Sequence, residues 1–382
     1  MLWLTNDLPP RTGGIQQFVA NLLERVHTRS TLVVGPGGDA EALAYDRGQR
    51  YRTVRGPGKL LPTPTVRRLA LEIGREHRPD VIVIGALWPL GELGASLRRQ
   101  LGVPVVALSH GFEAGLAKIG LGPVIGHASR SLDAITTVSD WAESHLQRHV
   151  RGARLVRVPP GVDVHRFTPQ TDGSRLRERW GIPPEALVVG CVSRLVRRKG
   201  QDVLLAAWPE IRRRHPDAWL VMVGEGPLQD MLDRRAGRQG PDRQVVIAGP
   251  VPWDDLPATY AALDVFAMPV RTRLAGLDVE GLGIVYLEAA ATGVPTVAGQ
   301  SGGAPEAVLD GVTGTVIDGE DRSALIHALD AWLVNPEARA AAGVAAREWA
   351  QQRWSWEAIA TRFSTLLEEV VATSTASEGA TD

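Results

Sequence analysis

The 382-residue chain is 44% hydrophobic and 22% charged, globular values that exclude global disorder and allow two domains, each with its own core. Its one cysteine, Cys191, excludes an internal disulfide and a multi-cysteine metal cluster and agrees with a reducing compartment; in its apolar run it is expected to be buried. The net charge of −1 conceals an asymmetry, because residues 1–160 carry 20 Lys and Arg against 13 Asp and Glu, a balance of +7, leaving 22 against 30, or −8, for the rest. A basic first half suits an anionic acceptor or an anionic membrane surface, and arginine-rich solvated helices explain it as well. No apolar stretch approaches the ~20 residues that span a bilayer. A strand begins at Leu2 with no basic-then-apolar leader, so a cytoplasmic protein is expected.

The first buried strand is expected at Leu2 to Thr5, followed by the turn Asn6 to Gly14 and a helix whose face carries Ile15, Phe18, Val19, Leu22, Leu23 and Val26. Gly13 and Gly14 remove side chains where a backbone can approach a sugar or diphosphate beside free helical N–H groups. An ordinary strand-to-helix turn explains them too. Further strands at Thr31 to Val34, Val81 to Ile84, Val105 to Leu108 and Ile135 to Val138 give a doubly wound α/β pattern. His110 ends the run that begins at Val105, at the mouth of the sheet, as either a sugar-binding imidazole or a structural one. His145 and His149 are four apart, but Leu146 stands where a His-Glu-x-x-His helix needs its glutamate, and no third ligand is nearby. With no Asp-x-Asp either, the site is expected to need no metal.

Val158 to Asp163 breaks the pattern with turn formers, and a second series of strands follows: Val188 to Ser193, Trp219 to Val223, Val245 to Ala248, Val265 to Met268, Pro295 to Ala298 and Thr315 to Ile317. The expected organisation is one doubly wound domain over 1–165 and a second over 166–350. A helix over 351–372 then crosses back to the first domain, and 373–382 forms a polar flexible tail. Two such sheets facing each other would place ligands in the cleft between them, outside the carboxyl ends of the strands.

Three segments of the second series carry chemistry. In Val192 to Gly200, Arg194 and Lys199 suit a diphosphate, as a fork and a point charge, whereas Arg197 and Arg198 are expected to be solvated. Gly224-Glu225-Gly226-Pro227-Leu228-Gln229 lacks the third glycine of a dinucleotide loop, and Gly35-Pro36-Gly37-Gly38 lacks its spacing, which disfavours hydride transfer. In Glu280 to Glu288, two acids flank a turn made by Gly281 and Gly283 at the start of a helix from Ile284 to Ala291. The helix N-terminus attracts a diphosphate, and the carboxylates suit the hydroxyls of a sugar and a ribose. A solvated cap with a surface glutamate is the competing explanation.

Taken in order, these features resemble the retaining glycosyltransferases of family 4, which have the two-domain GT-B fold. The resemblance rests on Pro10 to Gly14, Ser109 to Gly111, Val158 to Asp163, Ser193 to Gly200, Val223 to Pro227, Glu280 to Glu288 and Gly302 to Glu306. Arg271 to Arg273 followed by Gly276 to Glu288 looks like the actinobacterial mannosyltransferases that extend phosphatidyl-inositol mannosides.

The resemblance implies that the first domain is acceptor-binding and the second nucleotide-sugar-binding, and that Gly13 and Gly14 contact the donor, Arg194 and Lys199 the diphosphate, Glu280 the hexose and Glu288 the ribose. Backbone N–H groups of Leu282, Gly283, Ile284 and Val285 would complete the phosphate cradle, with His110 near the sugar. The loop containing Val251 would hold the base. Asp254 or Asp255 would accept from a guanine amino group or cap the helix beginning at Leu256, capping being the favoured role.

The family's proposed front-face mechanism uses no side-chain nucleophile. The implied reaction is α-mannosyl transfer from GDP-mannose to an anionic inositol-lipid acceptor, with no cofactor, metal or nucleic acid, at the inner face of the plasma membrane. The alternative is another UDP- or GDP-linked sugar and a soluble acceptor. Arg273 to Gly276 is less glycine-rich than in the lipid mannosyltransferases, and Ala290 to Gly293 departs from the usual pattern, which bears on the acceptor.

Overall fold

The computed structural model describes residues 1–382 apart from 12, 27–29, 239–243 and 379–382. By contact the chain divides into two units, Met1–Pro160 with the segment from Trp356 onward, and Gly161–Ser355.

In the first unit seven parallel strands form one sheet: β1 (Leu2–Leu4), β2 (Leu32–Gly35), β3 (Arg52–Arg55), β4 (Ile82–Ile84), β5 (Val105–Leu108), β6 (Ala134–Thr137) and β7 (Arg154–Arg157), in the order β3-β2-β1-β4-β5-β6-β7. The inner strands are apolar because helices cover both faces of such a sheet. The two edges, β3 and β7, are not among the strands expected from sequence. Each begins and ends with arginine and lacks an apolar run, since an edge is only half covered and charge there blocks further pairing. Arg55 reaches Asp46 at 2.6 Å and Arg154 reaches Glu369 at 2.8 Å.

The final helix, Trp356–Glu378, belongs to this first unit. Phe363 packs edge-on against Trp3 at 5.8 Å between ring centroids, and Trp356 lies 6.0 Å from Phe18. The helix includes 373–378, so that part of the expected flexible tail is helical; 379–382 lie outside the described residues. Among the described residues, no helix is long and apolar enough to cross a membrane.

The second unit has six parallel strands, β8 (Leu187–Val192), β9 (Ala218–Val223), β10 (Val245–Gly249), β11 (Val265–Met268), β12 (Thr296–Gly299) and β13 (Gly314–Ile317), ordered β10-β9-β8-β11-β12-β13. Their apolar runs lie where the sequence puts them. Cys191 is buried in β8, and burial pushes its thiol up to about 11. A chain of buried rings, Phe167, Tyr260, Phe266 and Tyr286, links the core with successive centroids 5.8 Å apart. Strand order reverses between β1 and β4 in one sheet and between β8 and β11 in the other. In doubly wound folds ligands bind outside the carboxyl ends of the strands at that reversal.

Candidate active site

In the second unit the reversal is framed by the loops after β8 and β11. Gln201, the first residue of the helix Gln201–Arg214, donates its side-chain amide to Ser193 Oγ (2.8 Å) and to the Arg194 carbonyl (2.9 Å). This fixes the start of the cationic loop. From the other side, the Leu195 N–H donates to the Glu225 carbonyl at 2.8 Å, and a Cβ on Gly224 would lie 2.1 Å from the Ser193 carbonyl oxygen. The Gly224 to Pro227 run therefore lets two backbones touch behind the cationic loop.

Lys199 and Glu280 meet at the same end of the sheet. Lys199 Nζ donates to Glu280 Oε2 at 2.7 Å, with the two residues 8% and 7% exposed. Arg198, expected to be solvated, is instead part of this cluster. Its Nε donates to the same Glu280 oxygen at 3.4 Å and its Nη1 to Asp278 Oδ1 at 3.1 Å. The correction follows from Asp278 and Glu280, two acids that place a counter-charge within reach of the loop. Burial alone would raise the Glu280 carboxyl, but Lys199 and then Arg198 outweigh it and hold it below the ordinary carboxylate range.

Glu288 is fixed differently. It lies one turn into the helix Ile284–Ala291 and is 4% exposed, and Tyr260 donates its hydroxyl to Glu288 Oε2 at 2.6 Å. Burial pushes the carboxyl up to about 7, opposed in part by the Tyr260 hydrogen bond and by Arg166. Neither acid is thus a surface glutamate. Leu282 is buried, while Gly283, Ile284 and Val285 are half-buried at the helix start, and Val251 is half-buried in its loop. Arg194 is exposed and stays apart from the Lys199–Glu280 pair.

The favoured capping role for Asp254 or Asp255 does not hold. The turn Trp253–Asp255 runs directly into the helix Leu256–Ala261, and no side chain caps it. The Asp254 carboxylate instead lies 3.4 Å from Arg166, whose guanidinium stacks over the Trp253 ring at 4.7 Å and donates to the Trp253 carbonyl at 2.5 Å. Tyr260 and Arg166 carry no motif of their own, and Asp278, though inside the segment Gly276 to Glu288, has no role that its sequence position announces. Only their neighbours in space mark them.

In the first unit, Gly13 precedes and Gly14 begins the helix Gly14–Arg25, and both are exposed. His110 follows β5 with its Nε2 2.7 Å from the Gly85 carbonyl after β4, and the Phe18 ring meets it edge-on at 5.7 Å. A carbonyl only accepts, so Nε2 is the donor there and Nδ1 is the nitrogen left to accept when the ring is neutral. Buried Glu113 accepts from Ser109 Oγ (3.0 Å) and from the His110 N–H (3.2 Å), fixing the strand end. His145 is held by the Trp141 carbonyl at 2.8 Å and stacks on the Trp141 ring.

Two Rossmann-like parallel sheets, one with a cation–carboxylate cluster and a glycine-started helix at its strand reversal, define the GT-B class. Residues 12–166 match the model described as Glycosyltransferase Family 4, and residues 172–349 match that of Glycosyl transferases group 1. The chain is 46% identical over 377 residues to the GDP-mannose-dependent alpha-(1-6)-phosphatidylinositol monomannoside mannosyltransferase of Mycolicibacterium smegmatis, covering 96% of this chain and 98% of that one. It is 40% identical to the GDP-mannose-dependent monoacylated alpha-(1-6)-phosphatidylinositol monomannoside mannosyltransferase of Corynebacterium glutamicum, covering 96% and 97%. Among solved structures, Anabaena Alr3699/HepE in complex with UDP has the same fold with a TM-score of 0.80 at 22% identity, covering 96% of this chain and 99% of that one. The chain belongs to glycosyltransferase family 4.

Proposed function

We propose that this glycosyltransferase is a retaining α-mannosyltransferase that moves mannose from GDP-mannose to a phosphatidyl-inositol mannoside acceptor. The observation that carries the reading is end-to-end similarity to relatives named for that reaction, at 40–46% identity. The Lys199–Glu280 cluster supplies matching chemistry. Glu280 takes hydroxyls of the hexose and Glu288 takes the ribose. Lys199, Arg194 and the N–H groups of Leu282 to Val285 take the diphosphate. Gly13, Gly14 and His110 keep the donor-contact roles that the resemblance implies, and the Val251 loop holds the base.

As the bond from mannose C1 to phosphate oxygen breaks, negative charge grows on the departing diphosphate. Lys199 and Arg194 stabilise that charge, each contributing about 3 kcal/mol on the scale of a preorganised donor. The acceptor oxygen attacks C1 from the face the diphosphate leaves, and its proton passes to a phosphate oxygen, so configuration is retained without a side-chain nucleophile. The cations and helix N–H groups do the work that a metal does elsewhere, and no cofactor is needed.

The acceptor reading draws on the +7 balance of residues 1–160. Lys59, Leu61, Arg67 and Arg68 are all exposed within ten residues of sequence, a mix of cations and an apolar side chain that suits the anionic inner face of a plasma membrane. A screen of GDP-mannose, GDP-glucose and UDP-glucose against a phosphatidyl-inositol monomannoside, with the product's linkage and anomer determined by NMR, tests the proposal. The expected product is α-1,6-linked mannose. UDP-glucose turnover without GDP-mannose turnover overturns it.

A further inference from the structure

We infer that Arg198 and Asp278 form a clamp that aims Glu280 at the transferred sugar, which makes Arg198 a positioning residue for hexose recognition. The inference rests on the proposed role of Glu280 and adds two residues to it. Lys199 and Arg198 both donate to Glu280 Oε2, at 2.7 and 3.4 Å, while Oε1 accepts no hydrogen bond among the described residues. The backbone of Glu280 is pinned as well: its N–H donates to Ser301 Oγ at 3.3 Å, and its carbonyl accepts from the Gly303 N–H at 3.0 Å. A Cβ on Gly302 would lie 1.9 Å from that carbonyl oxygen, so only glycine fits there. With backbone and one oxygen fixed, the other oxygen has a defined direction and remains available to sugar hydroxyls.

Asp278 is itself held. Its N–H and C=O pair with the C=O and N–H of Arg273 at 3.1 and 2.9 Å, and its Oδ2 lies 3.6 Å from Arg273 Nη1. Arg198 is fixed through its carbonyl, which accepts from the Arg271 N–H at 2.9 Å. The Arg198 guanidinium is thus spent on two carboxylates, whereas Arg194 is exposed and stands free of any ion pair among the described residues. Lysine cannot replace Arg198 fully, because one ammonium cannot present the two separated N–H groups that bridge Asp278 and Glu280.

The test measures R198M, R198K and D278N in the full-length protein, reading nucleoside-diphosphate affinity by calorimetry and kcat and KM with the matching nucleotide sugar. The expected result is a kcat at least tenfold lower for R198M and D278N with GDP affinity within twofold of the parent, and an intermediate kcat for R198K. Thermal unfolding identifies any variant that fails to fold, and D278N, which changes no volume, then decides. A tenfold loss of GDP affinity in R198M would mean that Arg198 holds the diphosphate, and an unchanged kcat would mean that the clamp is idle. Either overturns the inference. If the parent turns over UDP-glucose and not GDP-mannose, the donor reading fails, and the same ratios measured with UDP and UDP-glucose still decide the clamp. If it turns over neither, both fail.

Discussion

Tyr260 donates its hydroxyl to Glu288 at 2.6 Å in the core of the second unit, the one hydrogen bond that this buried carboxyl makes among the described residues. Burial lifts that carboxyl from its ordinary 4.5 to about 7. The folded protein therefore binds a proton that the unfolded chain has already released between those two values. The stability this contributes is full below pH 4.5 and is lost as pH rises through 7. Glu288→Gln removes the dependence. Denaturant unfolding at pH 5 and 8 should show the parent losing about 2.5 kcal/mol more than the variant over that interval. Parallel profiles would disprove the shift.

If Glu288 takes the ribose as proposed, the same group should couple donor binding to pH. A ribose hydroxyl donates best to an ionised carboxylate, so nucleotide binding should tighten as pH rises from 6 to 8. It should also release a proton, seen as a calorimetric enthalpy that varies with the buffer's ionisation heat. Glu288→Gln should bind more weakly and release none. An equal proton count in both proteins removes Glu288 from the ribose site.

Tyr260→Phe deletes the donor and keeps the ring in its edge-on contact with Phe167 and its tilted contact with Phe266. It should cost about 1–3 kcal/mol, the cost of an unsatisfied buried acceptor. Urea midpoints of the parent and the variant at pH 8, where the carboxyl is mainly ionised, measure it.

Lys199→Ala should reduce turnover by ~10²-fold or more. It also leaves Glu280 with only the longer contact to Arg198, so part of the loss reflects a mispaired buried carboxylate. Adding Glu280→Gln to Lys199→Ala should restore stability without restoring turnover. Near-normal activity in a folded Lys199→Ala protein excludes Lys199 from the mechanism.

Liposomes containing anionic lipid should retain the protein at low salt and release it as ionic strength rises and the Debye length falls from ~30 Å at 0.01 M to ~8 Å at 0.15 M. Arg67→Glu with Arg68→Glu should weaken retention without altering nucleotide binding. Equal retention on neutral vesicles argues against an electrostatic contact.

What could be read from sequence follows from how local each signal is. β8 and β11 announce themselves as apolar runs, and Glu280 and Glu288 stand out because a glycine turn and a helix start lie between them. β3 and β7 do not, because Arg52, Arg55, Arg154 and Arg157 interrupt any apolar alternation and their partners lie elsewhere in the chain. Arg198 looks like a solvated cation until Asp278, 80 residues on, is brought beside it. The Tyr260–Glu288 bond spans 28 residues within two separate helices. Gly224 to Pro227 reads as a failed nucleotide loop, and the proximity of Ser193 and Leu195 gives it a structural purpose.

The return of the helix Trp356–Glu378 to the first unit has a consequence for biosynthesis. The unit translated first lacks Trp356 and Phe363, the rings that cover Phe18 and Trp3, until the second unit has been made. Residues 161–355 hold their own contiguous core and can close earlier, reversing the usual vectorial order.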